Sequence, residues 1–224
     1  GKIIEMPLAI QLKEFKIYEY PPKLMLVNGK TGDPIPKDKP ATIVVDSTFK
    51  TGELQGWRIK LNKCIDEAAP LMTRDTTNYL PWHSSGAMTA INITATSPDG
   101  KVKKTGWVTC GSYHFPYQVL SLDGKISIAM PEREPQRYLS RIELMTQAGL
   151  HAFADIEVNS PLSVEGWKIY QLSYDTSMGR WSETSVLELV RDPWLPFVYA
   201  GLGMMMLGAV FMFLSLQRRK ETKE

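Results

Sequence analysis

From Leu8 onward the apolar residues of this chain return at every second position, not at every third or fourth. Leu8, Ile10 and Leu12 alternate with Ala9 and Gln11, and Phe15 and Ile17 carry the rhythm towards Tyr18-Glu19-Tyr20, where Pro21-Pro22 ends it. A period of two is the mark of a half-buried strand. Leu24–Val27 is a short apolar run closed by Asn28-Gly29, a hairpin turn pair. Gly32, Pro34, Pro36 and Pro40 predict an irregular loop over 31–40, and Ala41–Phe49 reads as a strand. Trp57, Ile59 and Leu61 share one face of the next. Residues 66–86, with Pro70, Pro81 and the polar run Thr73–Asn78, predict a loop with at most one helical turn.

Beyond it the strand signals return. Met88–Thr96 and Val102–Thr109 flank Ser97-Pro98-Asp99-Gly100, and Tyr117–Leu122 and Lys125–Met130 flank Asp123-Gly124, so two hairpins are predicted. Arg137–Thr146, His151–Val158, Val164–Tyr174 and Thr184–Val190 complete the series. Short strands with frequent turns predict a mainly β protein, an antiparallel sandwich or barrel-like body. Gly56-Trp57-Arg58-Ile59 and Gly166-Trp167-Lys168-Ile169 hint at a repeated unit. In the second, Trp167 and Ile169 face one way and Tyr170, Leu172 and Tyr174 the other. That strand is either central between two layers or pressed against a partner or a membrane.

After Val190 the rhythm stops. Pro193 to Gln217 is a run of 25 residues without a charge. As a helix, Trp194 to Leu216 spans roughly 34 Å, enough to cross a hydrocarbon core of about 30 Å. Asp192 is placed to cap it, Pro193 suits its first turn, and Trp194 and Tyr199 suit an interface. Arg218, Arg219 and Lys220 follow, a basic cluster that argues for the cytoplasmic side. The expected division is an extracytoplasmic β body over 1–190, one transmembrane α-helix over 191–217 and a cytoplasmic basic tail over 218–224. Within the helix Gly201 and Gly208 fall seven apart on one face, a place for a neighbouring helix to pack or simply the ordinary glycine of spanning segments.

Charge narrows the partners. Of 26 Lys+Arg and 24 Asp+Glu, five and three fall from Arg191 onward, leaving 21 of each before it. A neutral body is no nucleic-acid footprint. Gly1-Lys2-Ile3-Ile4-Glu5 carries no signal-peptide pattern, so an exported body is expected to follow spans lying upstream.

Three stretches carry a resemblance. Val158-Asn159-Ser160-Pro161-Leu162, Glu165-Gly166-Trp167-Lys168-Ile169-Tyr170-Gln171-Leu172-Ser173-Tyr174-Asp175, and Leu187 to Pro196 through Asp192-Pro193-Trp194 resemble the C-terminal part of the ResB-like (CcsB) family. The opening Pro7–Tyr20 resembles the first strand of that family's outer domain. Residues 40–120 resemble it poorly, as an enlarged middle at about 40–130 would. The resemblance implies a bacterial inner-membrane subunit with its β domain on the periplasmic side. Its implied partners are a CcsA/ResC-type haem-handling membrane protein, apocytochrome c and the lipid bilayer. Its implied cofactor is haem, held through the assembled complex. The rival reading is a membrane-anchored β-sandwich module of the envelope unrelated to haem.

Candidate chemistry is sparse. None of the three histidines forms a metal-binding spacing. His83, in a loop beside Trp82, and His114, among Tyr113, Phe115 and Tyr117, are either ordinary surface and packing residues or haem-proximal. Cys64 and Cys110 form a disulfide, remain two unpaired buried thiols, or act as a redox pair. No nucleophile motif, P-loop or zinc quartet occurs, which favours a non-catalytic subunit.

Overall fold

The computed structural model describes residues 7–74 and 76–221, and over 213–221 the helix backbone alone. The expected tail over 218–224, with Arg218, Arg219 and Lys220, thus lies outside the described side chains. In chain order the strands are β1 (Leu8–Glu19), β2 (Lys23–Asn28), β3 (Thr42–Val44), β4 (Thr51–Leu54), β5 (Trp57–Met72), β6 (Thr77–Pro81), β7 (Met88–Thr96) and β8 (Lys103–Thr109). They continue with β9 (Leu120–Ser121), β10 (Ile126–Ala129), β11 (Pro135–Thr146), β12 (His151–Glu157), β13 (Leu162–Val164), β14 (Trp167–Tyr174) and β15 (Ser185–Val190), before helix α1 (Leu195–Glu221).

Every pairing among the named strands is antiparallel. They form four sheets, ordered β1-β11-β12, β3-β2-β10-β9, β13-β14-β15 and β4-β5-β7-β8, with β6 added beside β5. The sheets face each other in pairs because their apolar faces collect into separate cores. Leu24, Leu26 and Ile128 meet Trp57, Ile59, Ile91 and Ile93, closing a sandwich built from residues 23–130. Leu8, Ile142, Leu144 and Ile156 meet Ile169, closing a second one from β1 and β11–β15. The first sandwich is thus threaded between the first and second strands of the other. A smaller cluster, Ile65, Ala68, Tyr79, Met88 and Ala90, lies under the 110–117 loop.

Two irregularities explain the sequence pattern. Pairing of β1 with β11 slips between Leu12 and Glu14, so a bulge at Lys13 shifts the inward face from Leu8, Ile10 and Leu12 to Phe15 and Ile17. Pairing of β14 with β15 slips between Gln171 and Ser173, leaving Leu172 bulged and 63% exposed. That slip turns Tyr174 onto Phe15, at 5.4 Å between ring centroids, and separates it from exposed Leu172, with which alternation grouped it.

The repeated Gly-Trp words are two copies of one hairpin solution. Gln55-Gly56 (φ 47, 87) and Glu165-Gly166 (φ 48, 82) both take positive φ, and Leu54 pairs with Trp57 as Val164 pairs with Trp167. Two positive φ angles in succession turn a right-twisted hairpin, and glycine carries the second at least cost. Each tryptophan then enters a different core. Over 66–86 the structure departs from the predicted loop. There β5 runs on to Met72 and pairs with β6, and Pro70 fits because β7 no longer pairs with β5 beyond Ala68.

Helix α1 stands apart from the body. Leu195–Met212 has a mean hydropathy of 1.8 and none of it is buried, so by length and composition it is able to cross a membrane. Asp192 accepts the backbone N–H of Trp194 at 2.9 Å, just ahead of the first helical residue.

Candidate functional site

A cluster of half-buried polar groups lies where the two sandwiches meet. The chain crosses between them twice, at 20–22 and at 131–134, and a 3-10 turn, Thr176–Trp181, leans on both. Asp175 starts that turn by accepting Ser177 N–H at 2.9 Å. From it Arg180 donates to the carbonyls of Asp66 (2.9 Å) and Ala87 (3.3 Å), and the Trp181 indole N–H donates to Ala87 at 2.8 Å. Arg133, on the second crossing, donates to the carbonyl of Tyr20 (2.9 Å) and the hydroxyl of Thr89 (3.0 Å). Both guanidinium groups approach the Glu19 carboxylate, at 3.3 Å from Arg133 and 3.5 Å from Arg180. Burial nevertheless pushes the Glu19 carboxyl above its ordinary range, outweighing the two arginines. A cavity of about 260 Å³ lies between Glu19, Arg133, Arg180, Thr89 and Ser112.

Beside it two loops are stitched together. Ser112 Oγ donates to Gly86 O at 2.6 Å, the Ser85 and Tyr113 hydroxyls are 2.6 Å apart, and Trp82 meets Phe115 edge-on at 5.5 Å. This brings the loop of His83 against the loop of His114, two residues that sequence left 31 positions apart. His83 Nδ1 lies 2.7 Å from Glu67 and the side chain is 79% exposed. His114 is exposed and packs edge-on against Phe115 at 4.7 Å. His151 pairs through Nε2 with Glu143 on a distant strand of the other sandwich. Among the described residues no group of three or more His, Cys, Asp or Glu is arranged to hold a metal ion.

The cysteines correct the disulfide expectation. Both are free, Cys64 exposed and Cys110 half-buried. Cys64 pairs with Ile91 on β7, while Cys110 follows β8 on the other side of that strand. Two strand spacings amount to about 9.6 Å, beyond the reach of a disulfide at about 7 Å between Cα atoms. Desolvation raises both thiol pKa values, with Asp66 adding to the effect at Cys64. Thiols held protonated are poor redox nucleophiles.

The aromatic residues of the β14 segment are spread along the whole strand. Trp167 is at the helix-proximal end, where the Arg191 guanidinium sits 5.7 Å from its ring. Tyr174 pairs with Ser185 at the opposite end, roughly 23 Å away along the strand. Tyr174 contacts Tyr138 as well as Phe15 inside the body, and Asp175, itself exposed, caps the junction turn. Tyr170 is half-buried, and Gln171 is 9% exposed with an Oε1 that has no hydrogen-bond partner. Pro193 and Trp194 do lie at the start of α1, and Gly201 and Gly208 have open space around them.

The residues that make the junction were not legible beforehand. Glu19 precedes a Pro-Pro break and Arg133 sits in a polar break, positions that read as solvent. Nothing local marked Arg180 or Trp181, since their partners lie about a hundred residues away.

Comparison with curated proteins finds no match. A family model does match, over residues 108–182. That stretch holds the His114 loop, Arg133, the β14 segment and the Arg180-Trp181 turn. It takes in the resembling stretches read from the sequence at 158–162 and 165–175 and begins earlier, inside the residues expected to resemble the family poorly. The model is that of the ResB-like family, whose members serve cytochrome c biogenesis, and the chain is similar to it over 108–182, about a third of its length.

Proposed function

We propose that this chain is the outer scaffold subunit of a haem-delivery complex, presenting the surface at which haem meets apocytochrome c. The observation that carries the reading is the ResB-like match, which spans the junction of the two sandwiches. The β body would stand on the periplasmic side of the bacterial inner membrane, held by α1. A CcsA/ResC-type membrane protein would supply the haem, and apocytochrome c would be the client. A neutral body with arginines buried at a junction suits a scaffold that positions other chains.

Cells lacking this chain are expected to lose c-type cytochromes, scored by covalently bound haem on denaturing gels, and to regain them when it is restored. Unchanged cytochromes would show instead an envelope module unrelated to haem. Orientation has its own readout, because Cys64 is free and exposed. A membrane-impermeant maleimide added to intact, outer-permeabilised cells is expected to label Cys64. Labelling only after the inner membrane is opened would invert the topology.

A further inference from the structure

The connection from the body to α1 is short. Val190, the last residue of β15, pairs with Lys168 on β14, and only Arg191 to Trp194 separate it from Leu195. Five residue steps reach at most about 18 Å, so this end of the β13-β14-β15 sheet lies close to any bilayer that α1 crosses. The turn between β11 and β12 is held at the same end. There Thr146 Oγ1 donates to Glu165 Oε1 at 2.9 Å, in the turn that joins β13 to β14.

The β11–β12 turn suits apolar surroundings. Residues 144–154 contain no Asp, Glu, Lys or Arg. Thr146 N–H donates to Leu150 O at 2.9 Å, Gly149 N–H to Thr146 O at 3.0 Å and Gln147 N–H to Pro7 O at 3.1 Å. Backbone groups paired in this way leave water at little cost. Leu150 at the tip is 44% exposed, and Phe153, 66% exposed, stands opposite Glu143. At that level the charges begin: Lys13 pairs with Glu143, and Arg141 with both Glu14 and Asp155. The outer face of this sheet is thus divided along its strands, uncharged towards the anchor and ion-paired away from it. An aromatic ring marks the boundary, as at a membrane interface.

We propose that the β11–β12 turn dips into the headgroup and acyl boundary of the bilayer that α1 crosses, with Leu150 deepest and Phe153 at the surface. The contact gives the body a second point on the membrane and fixes its tilt about the anchor. Exposed Glu165 and Asp192 offset exposed Lys168 and Arg191 at this end, so the contact draws on apolar burial and not on anionic lipid. A second copy of the chain or another protein would bury the same side chains, but neither accounts for a charge boundary set by distance from the anchor.

The full chain carrying Cys64→Ser is to be given Leu150→Cys, Phe153→Cys or Val158→Cys, labelled there with a fluorophore and placed in phosphatidylcholine nanodiscs. Labelling of half-buried Cys110 is measured in Cys64→Ser alone and subtracted. Val158 is as exposed as Leu150 but roughly 26 Å away, past the far end of β12, and serves as the reference. With a nitroxide high on the lipid acyl chain, the Leu150 label is expected to lose most of its emission, the Phe153 label less and the Val158 label none. Replacing part of the lipid by phosphatidylglycerol should change none of this, and Leu150→Asp should abolish quenching of the Phe153 label. A Leu150 label quenched no more than that at Val158 overturns the proposal, as does quenching that requires phosphatidylglycerol or that survives Leu150→Asp. A Leu150 label shielded from aqueous iodide but untouched by the lipid nitroxide overturns it too, in favour of a protein partner.

Discussion

Ile93→Ala is expected to destabilise the 23–130 sandwich by about 2–5 kcal/mol, and Ile142→Ala to do the same to the other, each leaving its neighbour largely untouched. Both side chains are fully buried, Ile93 on β7 and Ile142 on β11. Each loses its transfer energy and leaves a cavity that strands in a closed sandwich are slow to fill. They belong to different cores, with no shared partner, so their effects should add. Hydrogen exchange read by mass spectrometry checks the separation. Ile93→Ala should speed exchange in β2, β5, β7 and β10, and Ile142→Ala in β1, β11 and β14. Equal loosening of both sandwiches by either substitution would mean that the molecule unfolds as one unit, and that the junction matters more than the cores.

The same division shows what the residues revealed by themselves. Alternation is a local signal, so the hairpins around Ser97–Gly100 and Asp123-Gly124 and the face shared by Trp57, Ile59 and Leu61 were legible. Bulges are not, because one extra residue at Lys13 or Leu172 reverses every later side chain without changing composition. Short strands were misjudged in both directions. β3 stops at Val44 because Asp46 accepts the N–H groups of Thr48 and Phe49, ending the extended run predicted to Phe49. β4 was not foreseen, since Thr51-Gly52-Glu53-Leu54 has only one strongly apolar residue. Two sandwiches rather than one were beyond reach, because membership of a core depends on pairings as distant as Leu8 with Thr146. The candidate site shared that fate. Its histidines were named, but the Glu67 contact and the Trp181 bond to Ala87 arise from segments that only the folded chain brings together.

Arg133→Ala is the second large effect, about 3–5 kcal/mol at neutral pH, the usual cost of leaving one member of a buried ion pair behind. The Arg133 and Glu19 side chains are 13% and 14% exposed, so water does little to replace what is lost. Arg180 remains at 3.5 Å but is also committed to two carbonyls. The pH dependence follows from Glu19. Its carboxyl already lies above the ordinary value of 4.5, so the folded protein keeps a proton that the unfolded chain releases. Stability linked to Glu19 is therefore greatest below 4.5 and declines as pH rises through the folded pKa. Without Arg133 that pKa rises further, and the decline deepens. Denaturant midpoints should show a smaller loss for Arg133→Ala at pH 4 than at pH 7, and adding Glu19→Gln should recover part of the loss at pH 7. A loss that is the same at both pH values, or no recovery with Glu19→Gln, would mean that Arg133 holds the sandwiches together through Tyr20 and Thr89 and that its charge is incidental.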